Sequence, residues 1–384
     1  MKIVYCTNSI AGVGGIELVT LAKCNALAAI EGNDVWLIVA GPKGRLAITQ
    51  DERVHLMSLG IDYFDHDWAL PRLKRWKRIL KYRALEKKKL QDLVSHILPD
   101  IIISTGSNEK KMLPQLRLSH RPILIVEQHQ ASNLSSFWSP IDRFVSFVSS
   151  IEYKLFYRHR FDQVIVLNSE ARRRFSLREK VTVIPNPLIW EHHRHSNLTT
   201  TRVISVGRLD TMKNYAALIR IWAIVKQTHP DWILDIYGDG PQKAALERLI
   251  EQYGMQDLVF LKGISNDIIS KMSEASIFAF TSLAESFGMV LIEAMSCGLP
   301  VVAFNCPDGP KDIITHGQDG FLIPLNDETK MAKKICLLIE CEDLRREMGA
   351  NAIEKSRQFS MDVIISKYMT LFSTLLETER EHGR

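Results

Sequence analysis

Two glutamates lie eight residues apart in the stretch 281–300, which has the sequence TSLAESFGMVLIEAMSCGLP. An apolar run that contains Gly288 separates Glu285 from Glu293. A carboxylate is repelled by a neighbouring phosphate, so these side chains are better suited to accepting hydrogen bonds from hydroxyl groups. Taken alone, the spacing also fits an ordinary amphipathic helix with two solvated glutamates.

The elements around these glutamates predict an anion site. A strand is expected over 277–281, followed by a loop and a helix that begins near Ser286 or Phe287, with Ser286 as its N-cap. The backbone N–H groups that follow this cap are those of Gly288, Met289 and Val290. Free amides at a helix start favour negative charge. Amides for a phosphate and carboxylates for hydroxyls together suit a nucleotide-sugar.

Two cations lie five residues apart in a loop that follows another predicted strand, 203–206. Arg208 and Lys213 belong to the sequence GRLDTMKN, at the mouth of a strand-to-helix loop. A planar guanidinium and a compact ammonium can hold a diphosphate from both sides. After the next strand, Gly238 in the turn YGDGP permits close approach of a ligand.

The first half of the chain opens with a strand, a loop, a helix and a strand, predicted over 2–6, 7–15, 16–31 and 35–40. This order indicates a parallel doubly wound sheet. The loop TNSIAGVGG lacks a clean G-x-G-x-x-G, so a dinucleotide site is weakly supported. Its glycines more simply allow the backbone to approach a ligand or another domain.

A histidine follows one of the later buried strands of the first half. His129 comes just after the apolar run 123–127, at the end of a parallel strand where such sheets bind ligands. A turn histidine bonded to the backbone explains this position equally well. The aromatic and basic stretch 137–160 could border an acceptor groove or a membrane face, or belong to the core.

The segment 72–90 is unusually basic, since ten of its nineteen residues are Lys or Arg. Wound as a helix, it places Leu73, Trp76, Leu80 and Arg83 on one stripe with cations around it. Such a helix attracts anionic lipid headgroups or acidic ligands. A solvated surface helix packed on the sheet and a nucleic-acid patch are the alternatives, and no nucleic-acid motif accompanies it.

Charge and composition divide the chain into two halves. Residues 1–190 contain 28 Lys and Arg against 18 Asp and Glu, whereas the remainder contains 21 against 26. This asymmetry predicts two domains, over 1–188 and 200–359, joined by a polar linker at 190–201. From Thr329 the chain is predicted to be helical to its end, and the last part, 360–384, is expected to pack back on the first domain. The six cysteines have no paired metal spacing, and no stretch reaches the length of a membrane span.

The segments GRLDTMKN, YGDGP, SLAESFGMVLIEAMSCGLPVVA and CPDGPKDII together resemble the donor-binding half of the family 4 retaining glycosyltransferases, the glycosyl transferases group 1. AGVGGIE is similar to the family's N-terminal glycine loop, and VEQHQAS to its SEHxN-like segment. The resemblance implies an α/β GT-B fold, with two Rossmann-like doubly wound domains facing a central cleft. The sequence is similar in particular to bacterial enzymes that build lipid-linked or surface polysaccharides.

The resemblance also implies a role for each matching residue. Arg208 and Lys213 would bind the nucleotide diphosphate, Glu285 would contact the donor sugar and Glu293 the ribose. His129 would lie near the anomeric centre. Further donor-binding groups implied are Gly14, Gly15 and Gly238, and the amides of Phe287, Gly288 and Met289. The reaction implied needs no metal. Asp65-His66-Asp67 resembles the D-x-D metal motif of the other glycosyltransferase fold, but it is interpreted as a loop.

The function implied is transfer of a hexose or N-acetylhexosamine, with retention, to a saccharide acceptor that is lipid-linked or of lipopolysaccharide type. A UDP-sugar is favoured as the donor, because the segment CPDGP is similar to that of relatives that use UDP-sugars. The donor is a co-substrate, and no further cofactor is expected. Location in the cytoplasm, peripheral on the inner membrane face through segment 72–90, is expected. A UDP-sugar 2-epimerase of the same fold and a non-catalytic nucleotide-sugar-binding module are the alternatives.

Overall fold

The computed structural model falls into two compact units. It describes residues 1–10, 15–42, 44, 46, 48–61, 63, 72–105, 109–129, 160–173, 175, 178–190 and 194–381, with only the backbone at 72, 73, 75 and 76. Described residues of the first unit lie within 1–129, 160–189 and 361–381, and those of the second within 190–360. Gly14, Asp65-His66-Asp67 and most of 137–160 lie outside the described residues.

The first unit is built on a parallel sheet, whose described strands have the order β3-β2-β1-β4-β5-β6-β7. The strands are Lys2–Thr7 (β1), Asp34–Val39 (β2), Val54–Ser58 (β3), Ile101–Ser104 (β4), Ile123–Gln128 (β5), Gln163–Val166 (β6) and Val181–Val183 (β7). The helices described in this unit are Gly15–Ala28 (α1), Arg72–Ile97 (α2), Glu109–Met112 (α3), Ser169–Arg173 (α4) and Met361–Glu381 (named α12 below, by chain order). Its strand order is that of a doubly wound sheet.

The second unit repeats this plan, with the strand order β10-β9-β8-β11-β12-β13. The strands are Arg202–Val206 (β8), Ile233–Tyr237 (β9), Val259–Gly263 (β10), Ile277–Phe280 (β11), Val301–Phe304 (β12) and Gly320–Ile323 (β13). Its helices are Tyr215–Val225 (α5), Lys243–Gln252 (α6), Ile268–Ser273 (α7), Met289–Ser296 (α8), Pro310–Ile313 (α9), Glu328–Glu340 (α10) and Glu342–Ser356 (α11). The two parallel-sheet units confirm the predicted α/β doubly wound class.

Strand β11 shows why these sequences form central strands. All four residues of Ile277–Phe280 are buried, as are all four of Val301–Phe304 beside it. Strands covered by helices on both faces carry continuous apolar runs, and these two pair in parallel. The core that these strands share with helix α5 includes Phe304 of β12 and Trp222 of α5, both fully buried.

Two expectations for the end of the chain need correction. The helical region predicted from Thr329 onward is broken at Cys341, which separates α10 from α11, and again at Ser360 before α12. The stretch 194–200 is not a free linker, because Ser196 donates its backbone N–H to the Cys297 carbonyl at 2.8 Å and Leu198 is buried. This stretch therefore packs as part of the second unit.

The helix α12 packs on the first unit although the whole second unit precedes it in the chain. Ile364, Ile365, Tyr368 and Phe372 are buried in the same apolar cluster as Tyr5 of strand β1. Within the described residues, no helix combines the length and apolar character that a membrane span requires.

Candidate active site

The candidate site of the second unit lies at the topological switch point of its sheet. Strands β8 and β11 are parallel neighbours, yet β9 and β10 come between them in sequence. Loops that leave the carboxyl ends of two such strands diverge to opposite faces and leave a crevice between them. The loop after β8 carries Arg208 and Lys213, and the loop after β11 carries Glu285.

The loop after β8 is shaped by its own aspartate. Asp210 Oδ1 accepts hydrogen bonds from the backbone N–H groups of Met212 at 3.0 Å and Lys213 at 3.1 Å. Asn214 then adopts a left-handed conformation, with φ of 54°, immediately before α5. Aspartate and asparagine are suited to these two positions, because their short side chains bond locally and tolerate positive φ.

Two hydrogen bonds tie the loops of the two strands together. The Leu283 N–H donates to the Met212 carbonyl at 2.8 Å, and Thr281 Oγ1 donates to the Lys213 carbonyl at 3.0 Å. The pairing brings the Lys213 ammonium into a direct ion pair with Glu285 Oε1. Both side chains are mostly buried, with 24% and 13% of their surfaces exposed. A cation and a carboxylate predicted from separate motifs are therefore in contact.

Arg208 offers the exposed cation of this site. Its side chain is 71% exposed, and Nε lies 3.7 Å from Asp210 Oδ2. That separation is too long for a good hydrogen bond, so the guanidinium can turn to an incoming anion. Arg208 and Lys213 thus differ: one is exposed and weakly held, and the other is already paired.

The helix that carries Glu293 begins later than predicted. Helix α8 starts at Met289, and its N-cap is Gly288 with φ of 99°, so the prediction that Ser286 caps it is wrong. Leu291 N–H bonds to the Gly288 carbonyl at 2.9 Å. The preceding amides, those of Met289 and Val290, have no acceptor within the helix. Glycine is favoured at the cap because a side chain there would be strained.

Phe287 anchors the start of this helix in the core. It is buried, and its ring packs edge-on against Phe359 at a centroid distance of 5.8 Å. Beside it, a Cβ on Gly309 would lie 2.2 Å from the Phe287 carbonyl oxygen. The Glu285 N–H also donates to the Pro307 carbonyl at 3.2 Å. The turn 307–309 therefore holds the loop of Glu285, a positioning role that spacing within 281–300 did not indicate.

Glu293 has an unusual protonation equilibrium. It is partly buried in the second turn of α8, and burial raises its pKa to about 7. Burial is the one cause of this rise in the pKa of Glu293. No described residue stabilises the Glu293 carboxylate by charge or by a hydrogen bond. A carboxylate in this state gains from hydroxyl donors on a ligand, which would favour its ionised form.

Gly238 has a packing role that differs from the predicted ligand approach. A Cβ on Gly238 would lie 1.9 Å from the Gly207 carbonyl oxygen, and its φ is 142°. A Cβ on Gly240 would lie 2.5 Å from the Leu209 carbonyl oxygen. The turn after β9 thus presses directly against the loop that carries Arg208. Contact of Gly238 with a ligand stays a prediction.

We expect Gly238→Ala to destabilise the second unit by about 3 kcal/mol, because the new methyl group collides with backbone in a left-handed conformation. Denaturant unfolding followed by fluorescence measures the change. Gly254→Ala is the matched control, because its φ of 58° is also positive but nothing lies within 4 Å of its Cβ position. That control should cost about 1 kcal/mol. Equal costs for the two variants would contradict the packing role.

The candidate residues of the first unit behave differently. Gly15 is the first residue of α1, and a Cβ there would meet open space. His129 is buried just beyond β5, with Nε2 3.0 Å from Glu127 Oε2. The Lys23 ammonium forms an ion pair with the same oxygen. Lys23 and Glu127 were not predicted, although a lysine within the apolar face of a helix is a signal for a buried partner.

The sequence profile of a known family matches the part of the chain that holds the second-unit site. The glycosyl transferases group 1 profile covers residues 189–355. Residues 189–355 are a group 1 glycosyltransferase domain. Within this group 1 domain lie the Lys213–Glu285 pair, Arg208 and Glu293.

Relatives and solved structures extend the similarity beyond the group 1 domain. An uncharacterized glycosyltransferase of Haemophilus influenzae is 27% identical over 390 residues, covering 98% of this chain and 99% of the relative. The exopolysaccharide phosphotransferase SCO2592 of Streptomyces coelicolor is 29% identical over 88% of this chain, which spans 34% of that protein. The crystal structure of S. aureus TarM G117R, with fondaparinux, alpha-GlcNAc-glycerol and UDP, superposes with a TM-score of 0.73 at 17% identity, covering 97% and 99% of the two chains. The similarity in structure confirms the GT-B fold.

Proposed function

We propose that the protein is a retaining glycosyltransferase that moves a hexose or N-acetylhexosamine from a UDP-sugar to a saccharide acceptor of a bacterial surface polysaccharide or lipopolysaccharide. The observation that carries the proposal is the meeting of Lys213 and Glu285 at the switch point of the group 1 domain. The UDP and saccharides bound to TarM, and the exopolysaccharide named for the Streptomyces relative, support the donor and acceptor classes.

The chemistry of the site suits the cleavage of a sugar–diphosphate bond. When the anomeric carbon leaves the diphosphate oxygen, negative charge builds on the leaving group. Arg208 and Lys213 supply cations for that charge, and the amides of Phe287, Gly288 and Met289 supply donors. We assign Glu285 to the hydroxyls of the donor sugar and Glu293 to those of the ribose, because carboxylates accept such hydrogen bonds.

The first unit contributes the remaining groups of the proposal. Gly14 and Gly15 are assigned to the donor phosphates, and His129 to the region of the anomeric carbon. The acceptor hydroxyl oxygen attaches on the face that the leaving group occupied, and its proton goes to the departing diphosphate. No metal is required, because fixed cations neutralise the leaving group.

The decisive experiment measures nucleotide release by purified protein from a panel of UDP- and GDP-sugars, with EDTA and with or without a bacterial lipid extract. Release from one UDP-sugar that rises with lipid, with unchanged anomeric configuration in the product, is the expected result. Interconversion of two UDP-sugars without lipid would instead show a 2-epimerase. Binding without turnover under every condition would indicate a non-catalytic module.

Helix α2 supports the proposal that the acceptor is membrane-linked. Its described side chains include six exposed cations together with Leu80 and Leu85, which are 45% and 39% exposed. The exposed cations are Lys74, Lys77, Lys81, Arg83, Lys88 and Lys89. A cationic face with exposed leucines binds anionic lipid headgroups. We therefore propose that the protein is a cytoplasmic enzyme, peripheral on the inner membrane face.

Reversing two charges on this helix is expected to weaken membrane binding. Each cation near an anionic surface contributes about 1 kcal/mol, so Lys77→Glu with Lys81→Glu should lower partitioning to vesicles containing phosphatidylglycerol by roughly 30-fold or more. Vesicle co-sedimentation at several salt concentrations measures it. The control, Lys330→Glu with Lys333→Glu, reverses two exposed lysines on α10 and should bind as wild type does. An equal loss of binding in both variants would show that the net charge of the protein, and not helix α2, determines membrane binding.

A further inference from the structure

A buried ionic cluster in the first unit has no role in the site described so far. Lys23, within α1, and Glu127, within β5, are fully buried and form an ion pair. Tyr5 donates its hydroxyl to Glu127 Oε1 at 3.1 Å, and Lys23 Nζ donates to the Tyr368 hydroxyl oxygen at 3.1 Å. Isolated ion pairs rarely add stability to a core compared with apolar residues, so their retention calls for a specific purpose.

The cluster ends on His129. Glu127 Oε2 lies 3.0 Å from His129 Nε2 and is also the oxygen that Lys23 contacts. Burial by itself would raise the pKa of Glu127, but Lys23 and His129 hold that pKa at about 2, so Glu127 is an ionised carboxylate at neutral pH. A carboxylate can only accept a hydrogen bond. Nε2 must therefore carry a proton and donate it.

The other ring nitrogen of His129 is left as an acceptor. Burial lowers the pKa of His129, against a partial rise caused by Glu127, so the ring is neutral at pH 7 and holds one proton. Because that proton is on Nε2, Nδ1 has a lone pair. Nδ1 is buried and has no hydrogen-bond partner among the described residues. A buried acceptor without a donor is costly unless a ligand supplies one.

We infer that Lys23 and Glu127 are positioning residues, which fix His129 as the Nε2–H tautomer so that Nδ1 accepts a hydrogen bond from a sugar hydroxyl. The inference rests on the proposed function for the presence of a sugar. His129 lies just past the carboxyl end of β5, the edge of a doubly wound sheet where ligands bind. Glu127 resembles the carboxylate of a serine-protease triad in purpose, because it sets a tautomer without contacting substrate.

The groups that face this cluster come from four elements. Tyr5 belongs to β1, Glu127 to β5 and Tyr368 to α12, while α1 contributes the remaining ones. Those on α1 are Glu17, Lys23 and Cys24. Helix α12 thus contacts the cluster directly through the Tyr368 hydroxyl.

The tautomer of His129 can be measured without substrate. Long-range proton–nitrogen NMR correlations of protein with ¹⁵N-labelled histidine identify the protonated ring nitrogen, and His129→Gln assigns the signals. We expect a neutral ring with Nε2–H and bare Nδ1 at pH 7.5. A protonated Nδ1 in the wild type, as imidazolium or as the other tautomer, would overturn the inference.

The double variant Lys23→Met with Glu127→Gln should reverse the tautomer, because without the ammonium the amide NH2 can donate to Nε2 and drive the proton to Nδ1. We expect kcat to fall by about 10²-fold or more, as when an amide replaces the carboxylate of a catalytic triad. The Kd of UDP should stay near the wild-type value, because UDP carries no donor sugar. Tyr5→Phe is the control: it removes the bond to the other Glu127 oxygen and should leave the tautomer unchanged.

Glu127→Gln alone should keep the wild-type tautomer, because the Lys23 ammonium can only donate and holds the amide oxygen at the position of Glu127 Oε2, where it also accepts from Nε2–H. A double variant that folds and keeps both the wild-type tautomer and kcat would overturn the positioning role. If the wild type turned over no nucleotide-sugar, the proposed function would fail, while the tautomer measurement would still decide the role of Glu127.

Discussion

Lys213→Met is expected to lower kcat/KM for the donor by about 10³-fold. Its ammonium is the mostly buried cation of the switch-point site, where a charge-assisted contact to the leaving diphosphate gains strength from exclusion of water. Losing one preorganised donor to a developing negative charge typically costs 10²–10³-fold, and loss of a full charge lies at the upper end. Single-turnover release of UDP from the donor identified by the panel measures the effect.

The ion pair with Glu285 makes the effect of Lys213 non-additive. Methionine leaves the Glu285 carboxylate without its cation, so Lys213→Met removes one contact and disturbs another. Glu285→Gln should cost much less in the Lys213→Met background than in the wild type. Lys271→Met is the matched control, because it breaks the exposed Lys271–Glu274 pair of the same unit. Near-wild-type kcat/KM for Lys213→Met would remove Lys213 from the proposed mechanism.

The second large effect concerns Glu293 and pH. Because its folded pKa is about 7, the carboxylate is mostly protonated at pH 6 and cannot accept hydrogen bonds from both ribose hydroxyls. We expect the affinity for UDP to fall by about tenfold for each pH unit below 7, and Glu293→Gln to flatten that profile. Calorimetry in buffers of different ionisation enthalpy should detect proton release on UDP binding near pH 6.5. Proton uptake or no exchange would contradict this assignment.

The same pKa has an opposite consequence for stability. The folded state binds this proton more tightly than the unfolded state, whose glutamate has the ordinary value of 4.5. Stability therefore falls as pH rises from 4.5 to 7, by about 3 kcal/mol from this group. Glu293→Gln should lose that decline and be more stable than wild type at pH 8, while binding UDP more weakly. A stabilising substitution that weakens binding is typical of functional sites.

The sequence indicates the central strands clearly, but it gives little signal for two of the edge strands. The runs IFAF in β11 and VVAF in β12 are buried throughout, and continuous apolar runs of this kind can be recognised in a single sequence. Strands β3 and β13, which were not predicted, each lie at an edge of their sheet. In β3 burial alternates along VHLMS, because one face is open to solvent, so its apolar signal is weaker.

Local spacing predicted the residue types of the candidate site but not their contacts. The Lys213–Glu285 pair joins residues 72 apart, and it depends on β8 and β11 being sheet neighbours. Ser286 has a favourable side chain for an N-cap, but the helix begins two residues later than such a cap would place it. The cap residue has a positive φ, which suits Gly288. Lys23 and Glu127 escaped prediction for a similar reason, since their pairing spans 104 residues.

The position of α12 affects the order in which the two units can complete their folding during synthesis. Tyr368 and Phe372 complete the apolar cluster that β1 begins, and the whole second unit is translated between them. All the described strands of the second unit have been made by Ile323, whereas the first unit must wait for residues 361–381. A nascent chain will therefore hold an incomplete first core, a natural substrate for chaperones, while the group 1 domain folds.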